Sequence, residues 1–195
     1  VMKYSIMGLM LVTGILKSFG QQTWKLVKNE QGIKVYVGEA PNSSYFAFKA
    51  LMSVKATEGE VLKVLKDVNK YPDWFAFTES VELIEQTKTE QFFSMETDYP
   101  WPFSNECMNY SMVFQRTEDK SMKISIMGTN GKANCKYSLK KASGYILLEP
   151  EKADIRITYC FHSEPSQNIP ARLVNPMIYR MPFQTFIALK KKLSL

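Results

Sequence analysis

His162 is the only histidine in the 195 residues, so any serine- or cysteine-based nucleophilic device would have to be built on it. It alternates with Arg156, Thr158 and Cys160, opposite Ile155, Ile157, Tyr159 and Phe161. That alternation puts it on the solvated face of a strand, where a rim histidine is the simpler reading. Cys107, Cys135 and Cys160 lie on separate stretches without the paired spacing of a zinc site. Three is an odd number, so at least one thiol stays unpaired, and an oxidising compartment would permit one bridge. The densest carboxylate group, Glu149-Pro150-Glu151 with Asp154, falls at a hairpin tip and reads as a solvated turn. Gly128-Thr129-Asn130-Gly131 does not lead from a strand into a helix, so it is hairpin punctuation and not a phosphate loop. No cofactor and no metal are expected.

With no reaction centre in view, composition narrows the classes. The chain is 45% hydrophobic and 23% charged, with nine Gly and nine Pro, as in an ordinary globular domain. Its length lets it bury roughly 70% of the unfolded surface without a disulfide framework or a metal. Lys and Arg number 25 against 19 acids, a net charge of +6. The basic residues are scattered, and the aromatics sit among apolar residues instead of interleaving with Lys and Arg, so no nucleic-acid partner is expected.

The N-terminus reads as an address. Lys3 precedes an apolar run from Ile6 to Leu16, and small Ser18 and Gly20 fall at the −3 and −1 positions of a cut before Gln21. A basic start, a short apolar core and a small-residue exit form a secretory signal peptide over residues 1–20. The run is about half the roughly 20 residues a membrane span needs. Export, periplasmic or secreted, is the expectation, with a single domain over 21–195. Removing Lys3 and Lys17 leaves a net charge of 6 − 2 = +4.

The elements follow from periodicity. Ile33–Val37 alternates, Pro41–Ser44 turns, and Phe46, Phe48, Ala50, Met52 and Val54 give a second strand one apolar face. Thr57 and Glu60 have capping-box spacing ahead of Val61, Leu62, Leu65 and Val68, a helix that Tyr71-Pro72 should end. Residues 80–162 read as a strand meander. Phe93, Met95, Thr97 and Tyr99 share one face, and Met108, Tyr110, Met112 and Phe114 the next. Ser143-Gly144 is among the expected turns. From Ile169-Pro170 a final helix runs to about Leu193, kinked at Pro176 and Pro182, with Lys190, Lys191 and Lys192 in its last turn. The fold class is α+β: a curved antiparallel sheet wrapped around a long C-terminal helix, with a short helix after the second strand. A wide sheet curled over one helix leaves an apolar pocket, which flexible Met side chains would adapt to varied ligands.

Four segments carry a resemblance. Asn69-Lys70-Tyr71-Pro72-Asp73-Trp74-Phe75 resembles the first-helix exit of the helix-grip, polyketide-cyclase-like superfamily. Tyr99-Pro100-Trp101-Pro102-Phe103-Ser104-Asn105 resembles the Pro-Pro-Ser segment of START domains, the lipid-transfer modules related to steroidogenic acute regulatory protein. Gly144–Pro150 with Ile157-Thr158-Tyr159, and then Ile169–Asn175, are similar to that family's last two strands and the start of its final helix. The resemblance implies a helix-grip fold with a tunnel for one lipid-like ligand, opened by movement of the last helix or of a loop beside it. The chain departs from the family after Ser104, where Asn105 is followed by Glu106-Cys107 and no Arg-Asp pair appears, so no buried Arg–acid pair is carried over. Arg116 is either a polar handle inside or a surface group whose stem packs; the second is the simpler reading.

The expected function is non-catalytic binding, and transfer, of a lipid or other hydrophobic small molecule by an exported monomer. Strand parity selects Tyr99, Trp101, Phe103, Met112, Phe114, Tyr159 and Phe161 as pocket lining. The helix stripe adds Leu173, Met177 and Met181. Lys190–Lys192 would support transient contact with an anionic membrane surface. Two alternatives stay open: a cyclase-like enzyme working through Tyr110, Tyr159 or Glu106, and an interaction protein whose core is filled by its own side chains.

Overall fold

The computed structural model describes residues 23–129 and 136–194. The signal-like segment 1–20, Cys135 and the Asn130-Gly131 turn lie outside the described residues. The strands are β1 (Lys25–Glu30), β2 (Ile33–Glu39), β3 (Phe46–Val54), β4 (Thr78–Gln86), β5 (Glu90–Thr97), β6 (Glu106–Arg116), β7 (Met122–Thr129), β8 (Lys141–Glu151) and β9 (Asp154–Glu164). Helix α1 spans Glu58–Lys66, and a four-residue α2 (Ala171–Val174) precedes α3 (Arg180–Leu193).

All nine strands form one unclosed antiparallel sheet in the order β1-β2-β3-β9-β8-β7-β6-β5-β4. The chain leaves the middle of the sheet after β3, crosses through α1, and returns at the far edge as β4. That crossover lets the last strand pair with the third, Ala50 opposite Tyr159 and Met52 opposite Ile157. The alternation on each strand aims Ile33, Val35, Phe48, Ala50, Met52, Tyr110, Met112, Ile124 and Ile157 at one core. Strand β1 has no apolar alternation in its Lys-Leu-Val-Lys-Asn-Glu sequence, which is why periodicity does not find it. It is a bulged edge strand held by its pairing to β2.

Helix α1 starts as its sequence predicts. Glu60 N–H donates to Thr57 Oγ1 at 3.3 Å, and Thr57 N–H donates to Glu60 Oε2 at 2.7 Å. It ends earlier than predicted, at Asp67, and Pro72 lies inside a following 3-10 turn, Val68–Asp73. The orphan carbonyls of the helix end are taken by side chains from elsewhere. Tyr71 Oη donates to the Leu65 carbonyl and Gln91 Nε2 to that of Lys66, each at 2.7 Å.

The C-terminal segment is broken, not merely kinked. Pro176 sits in a 3-10 turn, Asn175–Met177, and Pro182 in the first turn of α3. This break resets the helical phase. Phe186 and Leu189 of α3 are each 1% exposed against the sheet, whereas Leu173 and Met177 face outward. Lys190 Nζ pins the far end of α3 to the Gln31 carbonyl in the β1–β2 turn at 3.0 Å.

Gly144 is not in a turn, as its sequence context suggests, but inside β8, opposite Phe161 of β9. A Cβ there would lie 2.6 Å from Phe161 Cδ2 and 2.7 Å from Phe161 Cα, so only glycine admits this approach. The Gly144→Ala variant is expected to lose about 3 kcal/mol of stability. A lower midpoint of urea denaturation at unchanged slope is the readout, and an unchanged midpoint would contradict the close approach.

Candidate functional site

Between the concave face of the sheet and α3 lies a cavity of about 80 Å³. Its walls come from the stretch after α1 (Tyr71, Phe75, Ala76, Phe77), from β5 and its exit (Phe93, Met95, Thr97, Tyr99), from β6 to β8 (Tyr110, Met112, Ile126, Ile146) with Leu139, from β9 (Tyr159, Phe161, Ser163) and from α3 (Met181). No Lys, Arg, His, Asp or Glu is among these lining residues. Tyr71 stacks on Phe75 with ring centroids 5.0 Å apart, and Phe93 on Tyr110 at 5.5 Å. Phe75 meets Tyr159 edge-on at 6.1 Å, so the aromatic wall runs continuously across the concavity.

Of the ten residues selected from the sequence, the fold brings Tyr99, Met112, Tyr159, Phe161 and Met181 to this cavity. The other five lie elsewhere, each for a local reason. Trp101 is 92% exposed because the chain has already left β5 and turns, Phe103 N–H bonding back to the Pro100 carbonyl. Phe103 is half-buried at that turn. Phe114 is buried near the other end of β6, under the Lys66 ammonium at 4.6 Å. Leu173 and Met177 precede the helix break and point outward. Parity arguments identify a face but not how far along it the cavity reaches. Phe93 and Met95 share the predicted face with Tyr99 and line the cavity, as does Phe75 from the Tyr-Pro-Asp-Trp-Phe segment.

The remaining chemical candidates are structural. His162 Nδ1 is 3.3 Å from the Phe46 carbonyl and Nε2 is 3.4 Å from Glu164, so it ties β9 to the start of β3 and is more enclosed than a rim residue. Arg116 is a surface group, reaching Glu58 at 2.5 Å and the Lys120 carbonyl at 2.7 Å. Cys107 is disulfide-bonded and Cys160 is a free thiol. Among the described residues no cluster of His, Cys, Asp and Glu would hold a metal ion.

Glu106 is completely buried and has a different task. Its carboxylate accepts from Ser166 N–H at 3.0 Å, Ser166 Oγ at 3.1 Å, and Gln167 N–H and Nε2 at 3.0 Å. These bonds fasten the loop ahead of α2 to β6. The same segment is held at two more points. Tyr45 Oη donates to the Ile169 carbonyl at 2.7 Å, and Asn175 accepts from Phe46 N–H while donating to the Ser44 carbonyl. Neither α2 nor the following 3-10 turn buries a residue.

No family model matches the sequence. Over 88% of its length the chain superposes on a STAR-related lipid transfer protein from Xanthomonas axonopodis, with a TM-score of 0.82 and 29% identity, covering 99% of that chain. Human StAR-related lipid transfer protein 5 superposes with a TM-score of 0.77 at 16% identity, over 88% of this chain and 86% of that one. An aromatase/cyclase from a Streptomyces superposes with a TM-score of 0.52 over 75% of this chain and 90% of that one, also at 16% identity. An uncharacterized Pseudomonas aeruginosa protein is 24% identical over 92% of this chain and 91% of its own length. An unclosed nine-stranded sheet gripping a C-terminal helix is the helix-grip fold. The chain belongs to the START/helix-grip superfamily.

Burial keeps the cavity phenols neutral. Tyr71, Tyr110 and Tyr159 are held well above the ordinary value of 10.0 by loss of water, then by neighbouring acids: Asp67 for Tyr71, Tyr99 for Tyr110, Tyr110 and Tyr71 for Tyr159. Unfolding would let them ionise near pH 10, while the folded state keeps their protons. Stability from this source is therefore complete below about pH 10 and declines as pH rises beyond it. Ultraviolet titration should show phenols that ionise only as the chain unfolds. If every tyrosine titrated near pH 10 in folded protein, the burial assignment would fail.

Proposed function

We propose that this protein binds a lipid or other hydrophobic small molecule in the cavity between its sheet and α3, without catalysis, and carries it. The observation that supports this most is a cavity walled by aromatic, Met and aliphatic side chains with no carboxylate, imidazole or amine among them. The Xanthomonas and human relatives are named as lipid transfer proteins, which favours the same reading here. An enzyme would draw on Tyr110, Tyr159 or Glu106. The two phenols have pKa values moved away from neutrality, and the carboxylate is occupied with the 166–167 loop. That combination weighs against acid–base work.

At about 80 Å³ the cavity is far smaller than the roughly 300–1,000 Å³ of ordinary ligand sites, so a ligand must widen it. The part that yields at least cost is 165–177, which is held by polar bonds and buries almost no apolar surface. We further propose that the chain is exported through removal of residues 1–20, a reading with which a disulfide at Cys107 agrees. Unloading would occur at a membrane surface. From residue 165 onward the sequence has five cations and no acid, and Trp101, Leu173 and Met177 are exposed.

Purified mature protein from a lipid-rich host should release a stoichiometric hydrophobic molecule on solvent extraction, identified by mass spectrometry. Met112→Trp, which fills the cavity, should lose that molecule and keep the fold. Well-folded wild type that comes out empty, with host lipid in excess, would overturn the carrier reading. For the surface contact, Trp101→Ala should weaken sedimentation with vesicles rich in phosphatidylglycerol several-fold, and equal binding to neutral phosphatidylcholine vesicles would count against it.

A further inference from the structure

Two polar atoms in the cavity have no assigned partner. Tyr71 spends its hydroxyl on the Leu65 carbonyl, and Thr97 and Ser163 are partly exposed. Tyr110 and Tyr159 are each only 3% exposed and line the cavity, yet neither hydroxyl has a hydrogen-bond partner among the described residues. An unpaired buried hydroxyl costs about 1–3 kcal/mol, and protein interiors leave few of them. The two tyrosines come from β6 and β9, which are three strands apart in the sheet order, with the Phe161 ring 6.4 Å and 5.9 Å from theirs. The curvature of the sheet thus turns both phenols toward a common space. They are also near enough for ionisation of one to disfavour that of the other.

The charge around this pair restricts what they can receive. No lining side chain is cationic, and the nearby buried carboxylate of Glu106 makes the Tyr99 end of the cavity negative. An ionised head group brought here would lose its water without gaining a counter-charge. A neutral oxygen would instead accept from one or both phenols. We propose that Tyr110 and Tyr159 form an inner hydrogen-bonding seat for an uncharged oxygen of the ligand, a ketone, ester carbonyl or hydroxyl, whose hydrocarbon packs along Phe75, Phe93, Met95 and Met112. This deepens the carrier reading and rests on it: the ligand class is a neutral oxygen-bearing hydrophobe, inserted polar end first, and not a free fatty acid.

The test uses three probes of one chain length on the mature protein. Binding of 2-decanone and decane is read by headspace gas chromatography over the protein, and of decanoate by calorimetry at neutral pH. The ketone should bind about tenfold more tightly than the alkane, and decanoate more weakly than the ketone. Tyr110→Phe and Tyr159→Phe keep their rings and should each reduce ketone affinity several-fold while leaving decane unchanged. Equal ketone and alkane affinity, ketone binding indifferent to both substitutions, or decanoate binding as tight as ketone would each overturn the seat while leaving the carrier reading intact. Failure of all three probes to bind would remove the carrier reading along with the seat.

Discussion

A sheet of nine strands offers more apolar face than one helix of 14 residues can cover, and this mismatch governs the molecule. Helix α3 contributes Phe186 and Leu189 as fully buried plugs and Pro182 and Thr185 beside them. The sheet answers with curvature, which Gly144 permits by letting Phe161 come close. The aromatic cluster after α1 fills a further part, with Tyr71, Trp74 and Phe75 packed ring against ring. What stays unfilled is the cavity, so the cavity follows from the architecture and is not a packing fault in one place. Met112 and Met181 in its wall can change rotamer without losing contact, which makes its present size a resting value.

The two halves of the helical C-terminus are fastened by different physics. α3 is held by burial, and large apolar side chains have little tolerance for partial displacement. The segment from 165 to 177 is held by the Glu106 carboxylate, the Tyr45 hydroxyl and the Asn175 amide. Water can replace such bonds one at a time at small net cost. Opening at this segment leaves the core intact, so access to the cavity and stability of the fold are separable properties. The buried Glu106 then has a reason to be a charge without a cation: several donors from a loop give it directional partners that hold the loop in one register.

The legible part of the sequence was whatever repeats or caps. Period-two alternation in Met108–Phe114 and Ile155–Phe161, and the Thr57–Glu60 box, specified strands and a helix start that the structure has in place. The four ordered segments pointed to the helix-grip fold that the solved relatives share. Features without a local period escaped. β1 is a strand through its pairing alone; Gly144 looks like a turn residue because its need for closeness to Phe161 is a tertiary fact. The stripe of Leu173, Met177 and Met181 assumed one continuous helix, and the 3-10 turn at Pro176 rotated the first two outward. Half of the expected lining was right in face but wrong in depth, since parity does not measure how far a residue stands from the centre of a curved sheet.

The same geometry decides what the cavity's tyrosines are for. A phenol used as an acid or base at neutral pH must have its pKa brought down toward about 7, by a cation or a strong donor. Nothing of that kind lines this cavity, and burial moves Tyr110 and Tyr159 the other way. A phenol held firmly neutral is, however, a dependable hydrogen-bond donor in a low-dielectric wall, where such a bond gains strength. The shift that disqualifies these residues from proton transfer therefore suits them to recognition. Burial supplies affinity through the hydrocarbon walls, and the two hydroxyls supply orientation.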